Sequence, residues 1–214
     1  MLRLWGRPNS YNVQKVIWFL DELSIDYENV NVGSTTGDLE SAEFLSLNPL
    51  GLIPVIQDEN QTIWESNTIL RYIASKYGAK EFWSDNAFDR SKFERWMDWE
   101  ATKLQPDFLG LFWGYYRTPE NQRNLENIDR FKVRCQYNLA ILDKVLKESI
   151  FVVGSKFSLA DIVIGTSFYR YYNMGIDVPE YRNIRSWYQR LSERVSYQRK
   201  IAVPFKELRG RLEF

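Results

Sequence analysis

The chain of 214 residues has no histidine. That absence removes histidine general bases, Ser-His and Cys-His couples, and every histidine-containing metal site. A single cysteine, Cys135, cannot close an intrachain disulfide, so nothing argues for an oxidising compartment. Excess charge is missing too: 28 Lys and Arg balance 28 Asp and Glu. Without a basic field to attract phosphates, nucleic acid is not an expected partner. No apolar h-region follows Met1-Leu2-Arg3-Leu4, so the start does not read as a signal peptide. No run approaches the ~20 apolar residues that span a bilayer. There is no internal repeat and no low-complexity tract. These absences lead to an expectation of a soluble, cytoplasmic protein without a metal or a membrane partner.

What the chain does have is apolar and aromatic. Hydrophobic residues make up 44%, enough for a real core, and aromatics reach 16% with eight Trp. Some of those rings are available to line a pocket as well as to fill a core. The length suits one large domain or two small ones.

The N-terminal part alternates strand and helix patterns. Leu2-Arg3-Leu4-Trp5 reads as a strand, and Gly6 to Ser10 is dense in turn residues. Val13, Val16, Ile17, Leu20 and Leu23 fall at i, i+3, i+4, i+7 and i+10, one face of a helix. Asp26 to Val32 alternates again, so a parallel β-α-β unit is expected. A loop over 33–37 and a short, weakly helical stretch over Leu39 to Leu47 follow. Leu52 to Gln57 and Thr62 to Trp64 form two β-prone runs around the polar Asp58-Glu59-Asn60-Gln61, which predicts a hairpin. Pro54 is unsuited to a central strand. A cis bond at Pro54 resolves this and leaves the Ile53 backbone open to an extended peptide. Ser66 stands at an N-cap position, with Ile69, Leu70 and Ile73 at helical spacing behind it. Gly78 reads as the C′ residue of that helix.

Beyond a polar connector over 79–85 no convincing strand appears. Phe88, Trp96, Trp99 and Leu104 mark a long helix with a break expected near Pro106. Thr118 reads as the cap, and Pro119 as the first position, of a new helix. Ile128, Phe131, Cys135, Leu139 and Leu142 form a core-facing stripe, which makes Cys135 a packing residue. Ser158 and Asp161 have capping-box spacing, before an almost wholly apolar helix from Leu159 to Tyr171. Ile184, Trp187 and Leu191 predict another short helix.

Two motifs together carry a family resemblance: Asn48-Pro49-x-Gly51-x-Ile53-Pro54, and Trp64-Glu65-Ser66-Asn67-x-Ile69-Leu70-Arg71-Tyr72. They resemble the glutathione-binding half of the thioredoxin-like domain in glutathione transferases. The Ser158/Asp161 box resembles the helical domain of the same family, so the likeness covers nearly the whole chain. It implies an α/β thioredoxin-like domain over 1–78 and an all-α domain over 86–214.

The resemblance also implies a chemistry. Ser10 stands where glutaredoxin-like relatives carry their first catalytic cysteine, with Lys15 matching a basic residue five positions on. Dithiol exchange with the chain's own sulfur is therefore excluded. The chain is similar to serine-type members (theta, zeta or nu-like), in which the hydroxyl donates a hydrogen bond to the glutathione sulfur. Asn12 is a second candidate donor, and an N-cap is the other role open to Ser10. The energies suffice. A free thiol has a pKa of about 8.5, and lowering it by roughly two units takes about 3 kcal/mol. One hydrogen bond to a charged group supplies roughly 1.5–3 kcal/mol, and a helix N-terminus about 0.3–1 kcal/mol.

By the same resemblance, the Ile53 backbone, beside Pro54, pairs with the cysteinyl unit of glutathione. Glu65 takes the γ-glutamyl ammonium, and Ser66 with the N–H groups opening its helix takes the neighbouring carboxylate. Asn48 is a candidate for the glycyl carboxylate. Tyr11, Phe108, Phe112, Trp113 and Tyr116 are candidates for the second-substrate pocket. Tyr115 and Tyr116 are adjacent, so they cannot both face the core. The implied activity is conjugation of glutathione to a small apolar electrophile by a homodimer. Two alternatives stay open: a glutathione-dependent disulfide reductase or peroxidase using Asn12, and a non-catalytic interaction module.

Overall fold

A computed structural model describes residues 1–33 and 39–212. Most of the loop expected over 33–37 lies outside the described residues. The chain divides into two compact units, Met1–Lys80 and Glu81–Glu213.

The first unit is a four-stranded sheet with three helices: β1 (Leu2–Trp5), α1 (Tyr11–Glu22), β2 (Tyr27–Val30), α2 (Ala42–Leu47), β3 (Val55–Asp58), β4 (Gln61–Trp64) and α3 (Ser66–Lys76). The strand order is β2-β1-β3-β4; β1 runs parallel to β2, and β3 antiparallel to β1 and β4. This is the thioredoxin-like arrangement. Alternation along the strands buries both faces. Trp5 and Val55 are paired and pack with Val32 and Phe44 of α2. Leu4 and Ile56, one residue along each strand, point to the opposite face and are fully buried. The α1 stripe of Val13, Val16, Ile17 and Leu20 is buried, as are Ile69, Leu70 and Ile73 of α3. The strands are shorter than their apolar runs: β2 covers only Tyr27–Val30, and β3 begins after the cis Ile53–Pro54 bond.

The second unit is helical. It contains α4 (Ala87–Trp99), α5 (Gln105–Leu111), α6 (Leu125–Lys147), α7 (Leu159–Gly165), α8 (Phe168–Asn173), α9 (Arg182–Ser192) and α10 (Val195–Lys200). Three expectations need correction here. First, the helix does not break near Pro106. A π-helical turn over Glu100–Leu104 joins α4 to α5, and a second over Phe112–Arg117 continues α5. Pro106 sits in the first turn of α5, where the widened register accommodates a residue without an N–H. Second, Thr118 opens no long helix. It ends the preceding one, with its N–H and hydroxyl both donating to the Trp113 carbonyl at 2.9 Å. Only a 3-10 turn over Glu120–Gln122 intervenes before α6, which Asn124 caps by accepting from Asn127 N at 3.0 Å. Third, the apolar helix from Leu159 divides. Thr166 Oγ1 donates to the Ile162 carbonyl and Ser167 Oγ to the Ile164 carbonyl, both at 2.8 Å, and α8 starts afresh at Phe168. Phe88, at 73% exposed, is not a core residue of α4.

The capping box is present: Asp161 Oδ2 accepts from both the N–H and the hydroxyl of Ser158 at 2.9 Å. Its Oδ1 accepts from Val152 N at 2.9 Å and from Trp187 Nε1 at 2.8 Å, so one carboxylate ties α7 to α9. Cys135 is buried on α6, and burial pushes its thiol up to about 12. A thiol held so far above neutral pH is no nucleophile.

Candidate active site

Two helix N-termini meet in the first unit. The β1–α1 connection turns at Gly6, at φ +154, where a Cβ would stand 2.6 Å from Val13 Cγ2. Only glycine fits that approach. The turn delivers half-buried Ser10 to the N-cap position of α1 in an extended conformation. Its carbonyl accepts from Gln14 N at 2.9 Å and its N–H donates to the Arg7 carbonyl at 3.0 Å. Its side chain makes no capping bond, so the hydroxyl is not spent on the helix.

Asn12, half-buried in the first turn of α1, meets Ser66 Oγ through its Oδ1 at 3.5 Å. Such a contact is long for O–H···O. Both groups therefore keep hydrogen-bonding capacity for a ligand. Ser66 itself is buried and is the first residue of α3. The expected N-cap role for Ser66 is thus corrected by one position: Glu65 is the cap residue, at φ +67 and ψ 114, without a side-chain capping bond. A non-glycine residue at positive φ is costly, and such strain clusters at ligand sites. The sequence carries no signal for it. The Glu65 side chain is exposed, beside N–H groups that have no intrahelical partner.

Ile53 is half-buried at the start of the hairpin, just before the first β1–β3 pair, Trp5 with Val55. Asn48 is buried, and its amide is committed within its own turn. Nδ2 donates to the Leu52 carbonyl at 2.8 Å, and Oδ1 accepts from Leu50 N at 3.1 Å. These bonds shape the turn that leads to Ile53. Tyr11 is buried, with the ammonium of fully buried Lys15 4.9 Å above its ring centre.

Sequence profiles of the "Glutathione S-transferase, N-terminal domain" and "C-terminal domain" match residues 1–75 and 106–194. The chain is 37% identical to Glutathione S-transferase GstB of Escherichia coli K12, over 95% of this chain and 99% of the relative. The chain belongs to the glutathione S-transferase family. A theta class member from Xanthomonas axonopodis pv. citri, solved with glutathione bound, superposes with a TM-score of 0.90 at 34% identity, covering 95% of this chain and 98% of that one. Disulfide-bond oxidoreductase YfcG of Escherichia coli K12 is 29% identical over 91% of each chain.

As in other transferases of the family, a helical unit follows, and it holds the remaining aromatic candidates. Phe108, Phe112 and Tyr116 stack along one side of the helix, at 6.0 and 5.3 Å between successive rings. Phe108 and Phe112 are core residues. Tyr116 lines a cavity of about 560 Å³ with Tyr169, Met174 and Phe205. The adjacent Tyr115 donates to the carbonyl of Gly175, which also lines the cavity, at 2.8 Å. The guanidinium of Arg117 lies 4.1 Å from the centre of the Trp113 ring. Sequence reading missed Tyr169 and Phe205, because only tertiary packing brings them to Tyr116.

Proposed function

We infer that the protein is a glutathione transferase in which Ser10 activates the cofactor's thiol. The observation that carries the reading is the Ser10 hydroxyl, placed at the start of α1 and not used for capping. A donor there lowers the thiol pKa by stabilising the thiolate, and the α1 N-terminus adds to it. The thiolate attacks an electrophilic carbon of a small apolar compound. A carbon–sulfur bond forms, and the bond to the leaving group breaks with its electron pair.

The tripeptide is held by the Ile53 backbone beside Pro54 in the manner of an added strand. Its γ-glutamyl ammonium meets Glu65, and its carboxylate meets Ser66 and the first N–H groups of α3. Asn12, in contact with Ser66, is the alternative thiol donor. The name of the YfcG relative favours this second reading, glutathione-dependent disulfide reduction. The protein acts in the cytoplasm, in detoxification, as a homodimer. Val133 and Tyr137, exposed and one turn apart on α6, support self-association. Among the described residues no helix is long and apolar enough to cross a membrane.

Calorimetric titration with glutathione tests the reading. Saturable binding, together with turnover of an aryl halide, is expected. No detectable binding would make the chain an interaction module, and turnover of a mixed disulfide without conjugation would transfer it to the reductases.

A further inference from the structure

The balance of 28 cations and 28 carboxylates conceals a segregation. Residues 16–70 hold ten Asp and Glu and no Lys or Arg. Residues 182–211, covering α9, α10 and the segment after them, hold nine Lys and Arg against Glu193 and Glu207. Arg182, Arg185, Lys206, Arg209 and Arg211 are exposed, and none has a carboxylate at ion-pair distance among the described residues. α9 buries Ile184, Trp187 and Leu191 and leaves Arg182, Arg185 and Gln189 exposed. The two arginines occupy its first turn, which contains no acid. The helix dipole disfavours cations there, so helix stability does not account for them. The nearby Asp143 carboxylate is engaged by Asn183 N and Ile184 N, both at 3.0 Å. The connection from α8 to α9 borders both groups of cations. Its residues 178–180 line a hollow with Arg185, and Gly175 lines the cavity with Lys206 and Arg209. It adds the exposed acids Asp177 and Glu180, which leaves nine cations against four carboxylates over 177–211. The segment after α10 is fixed: Gly210 N donates to the Tyr116 carbonyl at 3.0 Å, and Arg117 Nε to that of Arg211 at 2.7 Å.

We propose that this basic C-terminal surface docks on an anionic membrane. Exposed apolar side chains are interleaved with the cations: Val195, 64% exposed, follows Arg194, and Leu212, 47% exposed, follows Arg211. Cations that attract phosphate headgroups, beside apolar residues that enter the headgroup layer, suit a lipid interface. Single-stranded nucleic acid calls instead for exposed aromatic platforms. The aromatic residues of this stretch are withdrawn from solvent: Trp187, Tyr197 and Phe205 are buried and Tyr188 is half-buried. The contact is peripheral and reversible, made by side chains of folded elements. It stands apart from the glutathione reading, since none of these residues is assigned to the tripeptide or its thiol.

The test is sedimentation of the full chain with vesicles of phosphatidylcholine alone and of phosphatidylcholine mixed with phosphatidylglycerol. Binding is expected only to the mixed vesicles, with release at high salt. Arg182→Gln, Arg185→Gln and Arg211→Gln should each weaken the partition about fivefold, the effect of one cation near an anionic surface. Circular dichroism confirms folding, and three separate single changes guard against one failing to fold. No binding to mixed vesicles, equal binding to phosphatidylcholine alone, or an unchanged partition in all three variants would overturn the proposal. Two further outcomes would also overturn it. Tighter binding to a single-stranded oligonucleotide than to the vesicles assigns the surface to nucleic acid. Salt-sensitive self-association without vesicles, lost in the same variants, assigns it to the acidic 16–70 stretch of a second copy. Glutathione is titrated in parallel: a chain that binds vesicles but not glutathione loses the transferase reading and keeps this one, and the converse removes only this one.

Discussion

Ser66 and Asn12 are 54 residues apart in the chain and 3.5 Å apart at their side-chain oxygens. The contact joins the first turn of α1 to the first residue of α3, so the two helix N-termini that would hold glutathione share one polar link. It also makes the roles of Ser10 and Asn12 separable. Ser10→Ala should raise the pKa of bound glutathione and lower kcat/KM for conjugation by roughly 10–150-fold, equivalent to 1.5–3 kcal/mol. Asn12→Ala should disturb glutathione affinity through Ser66 more than it moves the thiol pKa. Thiolate absorbance titrated in both variants checks this. A pKa shift confined to Asn12→Ala transfers activation to that residue, and no shift in either assigns it to the backbone.

Glu65→Ala should weaken glutathione binding by roughly 1.5–3 kcal/mol, the value of a charged hydrogen bond. The backbone at φ +67 makes a second variant informative. Glu65→Gly removes the same carboxylate but relieves the conformational cost, so it should be the more stable of the two. Calorimetry with thermal melts separates the two effects. Equal affinity in wild type and Glu65→Ala would remove the carboxylate from the site.

Acid should loosen the end of α3. Burial acts to raise the Asp58 carboxyl. Lys76 at 2.9 Å, Tyr77 at 3.0 Å and Tyr72 at 3.1 Å outweigh it and hold the group below the usual carboxylate range. A pKa depressed in the folded state contributes stability above the unfolded value, about 3.9. That stability is lost as pH falls through the folded value. Asp58→Asn should therefore be less stable than wild type at pH 7, with the gap closing below pH 4. Urea denaturation at both pH values measures it; a gap independent of pH would mean that the charge contributes nothing.

Gly110→Ala should destabilise the helical unit although alanine is the better helix former by about 1 kcal/mol. A Cβ at position 110 would lie 2.5–2.6 Å from the Phe131 ring on α6. Overpacking of this kind costs roughly 1–3 kcal/mol. Adding Phe131→Leu should recover part of the loss. Additive effects in the double variant would show that the two side chains do not collide.

The periodic parts of this fold could be read directly. The Leu2–Trp5 alternation and the Val13–Leu20 stripe appear where their patterns placed them, because each buries its own apolar face, and the hairpin around Asp58–Gln61 appears where its turn residues placed it. The errors lie where backbone geometry or distant contacts decide. Nothing local marks Glu65 as the residue at positive φ, so Ser66 took the cap. Pro106 normally breaks a helix, and only the π turn before it allows the helix to continue. α9 begins with Asn183 N and Ile184 N both donating to Asp143 Oδ1 at 3.0 Å, a cap supplied by α6 and invisible in the sequence of α9. Of the candidate site residues, Ser10, Glu65 and Ser66 stand in motifs that the sequence shows, and their roles toward glutathione are proposals. The commitment of the Asn48 amide to its own turn was not legible, because it depends on the path of the chain from Asn48 to Leu52.

The buried thiol of Cys135 has a practical consequence. A chain whose one sulfhydryl is inaccessible and unreactive is already a blank for site-directed chemistry. A cysteine introduced at any exposed position becomes the sole target for a maleimide dye or a nitroxide, with no native thiol to remove first. Spin labels placed one per unit, for example at exposed Glu59 and Glu126, would report the distance between the two units in solution, and its change on adding glutathione, in an otherwise unaltered protein.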